Sequence, residues 1–314
     1  MSVQVENPRP SAVAAVIGLG SMGFGMAQSM KRAGLDVVGY DITKATVDRF
    51  VADGGRGAAT LKETVQDADI VVSVVVTGAQ TEAVLFGSDG IATAMKPGAV
   101  FVSSATMDPA IARSLAERLE PLGLHYLDAP ISGGTARAAK GELTIMASGS
   151  RQAFAAARPA LDAMAAKVYE LGDAAGIGAA FKMINQLLAG VHIAAACEAI
   201  SFAAKQGLDL QKVYEVITAS AGNSWMFENR IPHVLAGDYT PLSAIEIFVK
   251  DLGIVQDMAR SERYPVPLVA AALQMYLAAS GAGMGRDDDS SLARLYAQLS
   301  GVELPGMNKE PQQA

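Results

Sequence analysis

The sequence predicts an α/β domain built on a doubly wound parallel sheet, joined by one long helix to an all-helical domain. Three observations carry that prediction. In the first half, short β-branched runs alternate with helical patterns, as parallel strands with helices on both faces require. A cluster of glycines follows the first of these runs directly. After about Gly172 the texture changes to alanine, leucine and methionine, with few β-rich runs. At 314 residues the chain is about twice a typical domain, and the expected division is 1–174 and 175–314.

Composition excludes several classes. Hydrophobic residues make up 51% and charged residues 18%, enough for a large core and too little charge for a disordered chain. A net charge of -7 argues against a protein that grips nucleic acid by its phosphates. Cys197 is the one cysteine, which excludes a disulfide framework and a four-cysteine zinc site and fits the cytoplasm. Two uncharged stretches, 11–30 and 264–285, have the length of a leader or membrane segment. The first holds four glycines, and Glu6 and Arg9 before it cancel. The second opens with Pro265 and Pro267, is interrupted by Gln274, and reads as a buried helix from about Leu268. A soluble protein without membrane contact is expected.

The elements follow in order. Residues 1–11 read as a loose lead-in. A strand is expected at 13–17, then a helix over 22–33 ended by Gly34. A second strand at 36–40 and a helix over 44–53 come next. The valine-rich run 70–76 reads as a strand buried on both faces. Further strands are expected at 99–103 and 124–127, each after a helical stretch. Residues 176–205 read as one long helix, apolar around most of its circumference, which needs burial by other helices or by a second subunit. A dimer or tetramer is therefore expected. Gly207, Gly222, Gly237-Asp238 and the Pro265/Pro267 pair split the rest into helices, before a polar tail from about Pro305.

Gly18, Gly20 and Gly23 form GxGxxG between the first strand and the first helix. In that position the first glycine allows a tight turn and the second lets backbone approach a pyrophosphate. The third lets the helix pack close to the sheet. The helix N-terminus adds free N–H groups and a positive dipole end. The second strand ends at Asp41, 18 residues after Gly23. A carboxylate there accepts hydrogen bonds from both ribose hydroxyls and repels a 2'-phosphate, and no arginine follows in Ile42-Thr43-Lys44. These residues predict a Rossmann-type site for NAD rather than NADP. The competing reading is a ligand-free glycine turn with Asp41 capping the next helix.

Asp128-Ala129-Pro130-Ile131-Ser132-Gly133-Gly134 follows a strand, where parallel sheets bind ligands. The Ser132 hydroxyl and the open backbone of Gly133 and Gly134 suit a carboxylate; the alternative is a plain turn. Thr106 stands where a hydroxyl reaches a nicotinamide ribose or caps a helix near Asp108. Lys182, Asn185 and Gln186 stand at i, i+3 and i+4 on the long helix, among Phe181, Met183, Ile184, Leu187 and Leu188. A lysine in so apolar a setting is costly to bury, and burial lowers its pKa, which suits a proton carrier. The bland alternative is a snorkelling lysine.

Together these segments resemble the β-hydroxyacid dehydrogenase family, which includes 3-hydroxyisobutyrate dehydrogenase, over nearly the whole chain. The resemblance implies that Gly18-Leu19-Gly20-Ser21-Met22-Gly23 is the cofactor loop and Lys182 the catalytic lysine. It implies a substrate carboxylate on Ser132, Gly133 and Gly134, with Asn185 or Gln186 assisting. Val75, Val76, Thr106 and Lys250 correspond to cofactor contacts, and Asp251 is expected among the substrate contacts. Residues 186–195, 221–230 and 247–253 are similar to the L-threonate dehydrogenase branch, whose members oxidise L-threonate at C2. A four-carbon sugar acid needs several hydroxyl partners, which Asn223, Ser224 and Asn229 can supply. The hydroxyisobutyrate branch tends to carry asparagine where this chain has Gln186, whereas the tartronate semialdehyde branch shares the Asn-Gln pair.

The remaining polar residues read as structural. His125 opens a strand, His192 lies off the Lys182 face, and His233 after Pro232 reads as a loop residue; none has metal-ligand spacing. Cys197 reads as a small buried hydrophobe. Asp287-Asp288-Asp289 reads as a solvated helix start. Trp225-Met226-Phe227 reads as core or as an apolar wall.

Overall fold

The computed structural model describes residues 12–307. The expected lead-in over 1–11 and the polar tail beyond 307 lie outside the described residues. The chain divides into two compact units, the break falling between Lys182 and Met183.

In the first unit, β1 (Val13–Ile17), β2 (Asp36–Tyr40), β3 (Arg56–Gly57), β4 (Ile70–Ser73), β5 (Val100–Ser103) and β6 (His125–Asp128) form one sheet in the order β3-β2-β1-β4-β5-β6. Every pair is parallel, and the order reverses direction between β1 and β4. Helices α1 (Gly23–Arg32), α2 (Lys44–Ala52), α3 (Leu61–Val65), α4 (Gly78–Phe86) and α5 (Pro109–Leu119) connect the strands. Alternate residues of β1, β4 and β5 enter two different cores. Ala14, Val16, Val72 and Val102 pack into one, and Ala15, Ile17, Val71 and Phe101 into the other. Burial on both faces is why these strands are continuously apolar. The expected strand at 70–76 ends at Ser73. Thr77 and Gln80 form a capping box there, so the chain has already turned to enter α4.

A second, three-stranded sheet has no clear signature in the sequence. It contains β7 (Ile131–Ser132), β8 (Leu143–Ala147) and β9 (Ala165–Glu170), with α6 (Gly134–Lys140) and α7 (Arg151–Met164) between them. β7 has two residues, and β9 is a polar edge strand with no fully buried position. Neither carries enough apolar alternation to register in sequence. β8 does alternate, burying Leu143, Ile145 and Ala147.

The long helix α8 (Ile177–Lys205) begins in the first unit and continues into the second. There α9 (Leu210–Thr218), α10 (Trp225–Ala236), α11 (Ile245–Ser261), α12 (Pro267–Ala279) and α13 (Leu292–Ser300) complete an all-helical unit. Residues 177–205 and 267–284 are long and apolar enough to cross a membrane by length and composition. Both are core helices here, since Ile193, Cys197 and Ile200 of the first and Val269, Leu273 and Tyr276 of the second share one apolar cluster.

Two expectations are corrected in this unit. His233 is not a loop residue: it lies within α10, which accommodates Pro232, and its Nδ1 is 3.3 Å from Asp288 Oδ1. The aspartates at 287–289 are not a solvated start, because Asp288 and Asp289 are fully buried. Asp288 accepts hydrogen bonds from the N–H groups of Ser290 and Leu242. Arg230 donates to both oxygens of Asp289, at 2.6 and 3.2 Å. Burial pushes the Asp289 carboxyl up to about 6, against the pull of Arg230. An arginine 59 positions away gives no local signal, so the acidic run looks like surface. Phe227 is core and Trp225 is exposed, so the aromatic segment divides between the two readings.

Candidate active site

The glycine loop lies at the carboxyl end of β1, beside the point where the strand order reverses. A Cβ on Gly18 (φ +92) would stand 2.8 Å from the carbonyl oxygen of Val74, and one on Gly23 would overlap the carbonyl oxygen of Gly18. Packing therefore explains the first and third glycines. Gly20 is different: it is exposed, and a Cβ there meets no protein atom within 4 Å. Its bare backbone leaves an open cradle before α1. Leu19 is buried beneath the loop, Ser21 is exposed, and Met22 stands at the N-cap position.

The Leu19 N–H donates to Asp41 Oδ2 at 2.8 Å, and the Thr43 N–H to Asp41 Oδ1 at 2.8 Å. Asp41 thus ties the loop to the end of β2, while Thr43 takes the N-cap position of α2. Lys44 is held by Asp48 at 2.7 Å on the exposed surface of α2. A cavity of about 290 Å³ runs along the loop, lined by Gly20, Ser21, Phe24, Arg49 and Thr135 among others. A bare glycine backbone at a helix N-terminus and a strand-end carboxylate are the donor and acceptor sets that a dinucleotide needs. Val75 is half-buried, Val76 exposed and Thr106 half-buried. Asp108, not Thr106, caps α5.

At the carboxyl ends of the central strands, Ser73, Ser103 and Asp128 stand in register across β4, β5 and β6, all fully buried. Burial pushes the Asp128 carboxyl up to about 6, opposed by hydrogen bonds from the Ala179 and Gly176 N–H groups and the Ser148 hydroxyl. Ser132 follows in β7, half-buried and paired with Thr144. Gly133 and Gly134 have φ of +137 and +77, which turn the backbone sharply into α6.

On α8, Lys182 is 7% exposed, whereas its apolar neighbours Phe181 and Ile184 are 52% and 60% exposed. This inverts the usual order of burial for a lysine among apolar residues. In the second unit, Asn185 donates to Gln186 Oε1 (2.9 Å) and Gln186 donates to Asp251 Oδ2 (2.5 Å). Lys250 Nζ donates to Asp251 Oδ1 (2.5 Å). Four of the expected site residues therefore form one polar chain. Both oxygens of buried Asp251 are engaged within it. Asn223 donates to Glu228 Oε1 (2.6 Å) and the Thr218 carbonyl (3.2 Å), and Ser224 caps α10 by accepting from the Phe227 N–H (3.0 Å). These two hold the turn between α9 and α10. No local pattern marks the bonds of the Asp128 carboxylate, whose backbone partners are 48 and 51 positions away.

The family model for the NAD-binding domain of 6-phosphogluconate dehydrogenase matches residues 13–172. The model for the NAD-binding region of NADP-dependent 3-hydroxyisobutyrate dehydrogenase matches residues 176–296. The chain belongs to the β-hydroxyacid dehydrogenase family. Like the family, it is an NAD-dependent oxidoreductase acting on a hydroxy acid. An L-threonate dehydrogenase of Cupriavidus necator is 54% identical over 291 residues, covering 93% of this chain and 97% of its own. One of Haemophilus influenzae is 50% identical, covering 93% and 96%. Among solved structures, one described as 3-hydroxyisobutyrate dehydrogenase from Salmonella typhimurium aligns with a TM-score of 0.86 and 49% identity, over 91% of this chain and all of that one.

Proposed function

We propose that this hydroxyacid dehydrogenase oxidises L-threonate at C2 to 2-oxo-tetronate (2-dehydro-L-erythronate), with Lys182 as general base. The observation that carries the chemistry is the burial of Lys182 beside exposed apolar neighbours. The substrate rests on the two threonate dehydrogenases, each similar over more than nine-tenths of its length. Bound NAD supplies the hydride acceptor. Lys182 takes the C2 hydroxyl proton as that carbon loses its hydride. Ser132 and the backbone of Gly133 and Gly134 hold the carboxylate. Asn185 and Gln186 orient the hydroxyls, and Asn223 and Ser224 belong to the sugar-acid end of the site. Asp251 acts through the two side chains it holds, Gln186 and Lys250. Gly18, Leu19, Gly20, Ser21, Met22 and Gly23 carry the pyrophosphate, and Val75, Val76, Thr106 and Lys250 line the cofactor. Asp41 selects NAD over NADP.

The test is NADH formation by absorbance, with L-threonate, D-threonate, D-erythronate, 3-hydroxyisobutyrate and D-glycerate, each with NAD and NADP. A clear preference for L-threonate with NAD is expected. A second reading is 3-hydroxyisobutyrate dehydrogenation, favoured by the description of the Salmonella structure. It predicts that 3-hydroxyisobutyrate is turned over best. Tartronate semialdehyde reduction is the third, and the Asn-Gln pair at 185 and 186 is compatible with it. Lys182→Ala separates all of these from a non-catalytic NAD-binding module. The variant is expected to lose at least about a thousandfold in kcat while NAD binding stays intact. Survival of turnover would sink the base assignment.

We place the enzyme in the cytoplasm as a homodimer or homotetramer. The lone Cys197 is a free, buried thiol. Along α8, Ile184, Leu188 and Phe202 are 60%, 48% and 64% exposed on one face, an apolar stripe that a second copy of the chain covers.

A further inference from the structure

We propose that Asp128 is a positioning residue for Lys182: its buried carboxylate fixes the first turn of α8 to the end of β6, and so sets where the lysine amine stands. The proposal rests on Lys182 being the base. Helices usually take their N-caps from the adjacent residue in sequence. Here the N–H groups of Gly176 and Ala179 both donate to Asp128 Oδ2, at 2.9 and 2.8 Å. The Gly178 N–H between them donates to Ser148 Oγ at 2.9 Å. The backbones of Asp128 and Ser148 hold each other in turn, with bonds of 3.0 and 2.8 Å. Three of the N–H groups at the start of α8 are thus satisfied by the side chains of Asp128 and Ser148.

The turn is also pressed against the strands. A Cβ on Gly178 would overlap the Met146 carbonyl oxygen and stand 3.0 Å from that of Asp128. A side chain at that position would lift the helix. A cap taken from a neighbouring residue fixes only its own turn, whereas one taken from a buried strand end fixes the helix to the sheet. Lys182 lies three residues beyond Ala179, one turn along the same helix. Asp128 itself is fully buried, so it acts through the helix rather than by touching substrate. A carboxylate at a helix N-terminus also complements the dipole.

The experiment uses Asp128→Ala, Asp128→Asn and Ser148→Ala in the full chain. Steady-state kinetics are read together with acetylation of Lys182 by acetic anhydride, scored by mass spectrometry against Lys205 at the far end of α8. For Asp128→Ala, kcat is expected to fall at least about tenfold, since displacing a reacting group by an ångström costs up to about a hundredfold, with KM for NAD within about twofold. The Lys182-to-Lys205 labelling ratio is expected to change at least about threefold. Asp128→Asn keeps an acceptor oxygen and is expected to recover most of kcat and the original ratio. Ser148→Ala, which removes one of the three bonds, is expected to shift both readouts in the same direction by less, and it serves if Asp128→Ala does not fold. An unchanged ratio in a folded variant overturns the proposal. So does a loss that Asn does not rescue and that tracks the melting temperature. If Lys182→Ala retains turnover, the base assignment fails, yet the labelling ratio still decides whether Asp128 positions that lysine.

Discussion

Asp41 shows how one side chain serves two bonds before any ligand arrives. Its oxygens accept from Leu19 in the glycine loop and from Thr43 after β2. Removing it costs charge-assisted bonds worth about 1.5–3 kcal/mol each, so Asp41→Ala is expected to lower kcat/KM for NAD by about ten- to a hundredfold. Discrimination against NADP should collapse with it, which steady-state kinetics with both dinucleotides will show. Asp128 gives a second residue-level prediction. Burial holds its native carboxyl at about 6, above the unfolded value near 3.9. Between those values the native state binds more protons than the unfolded one. The stability this contributes is full below about pH 4 and is lost as pH rises through about 6. Asp128→Asn removes the dependence. Urea denaturation at pH 4.5 and 7 should show a pH-linked loss smaller by about 2 kcal/mol in the variant than in the parent. Parallel pH profiles would count against the assignment.

Among the helical elements, α10 is anchored to the segment before α13 by the pair of Arg230 and Asp289. The arginine side chain is 11% exposed and the aspartate 0%, so neither is solvated well enough to stand alone. Arg230→Met is expected to destabilise by about 3–5 kcal/mol, because it leaves a buried carboxylate without its counter-ion. The double variant Arg230→Met/Asp289→Leu should recover most of that loss. Melting temperatures of the two variants give the comparison, and equal destabilisation would refute the ion-pair account. The same contrast separates legible elements from hidden ones. β1, α1 and β2 follow from apolar runs and glycine punctuation, whereas β7 and β9 are too short or too polar to announce themselves.

For the molecule as a whole, the exposed stripe on α8 predicts self-association. Light scattering of the purified protein should give a mass at least twice the 32.5 kDa of one chain. Leu188→Glu/Phe202→Glu places two charges in that stripe and is expected to shift the protein toward the monomer. A wild-type monomer would remove the inference. A membrane reading of α8, which its length and composition allow, is incompatible with its shared core in the second unit.

The sequence by itself determined the parallel sheet, the glycine loop with its acidic partner, the helical second half and the singular lysine. Each of these is written in local pattern: continuous apolar strand runs, glycines at fixed offsets, a lysine flanked by apolar residues near the start of a long helix. Only the tertiary structure decided which polar groups hold that lysine's helix, what neutralises the buried aspartates, and how Asp251 is shared between Gln186 and Lys250. The partners in those bonds are separated by 51, 59 and 65 positions, apart from Lys250, which is adjacent to Asp251. No local periodicity encodes such pairings, because they exist only once the chain has packed.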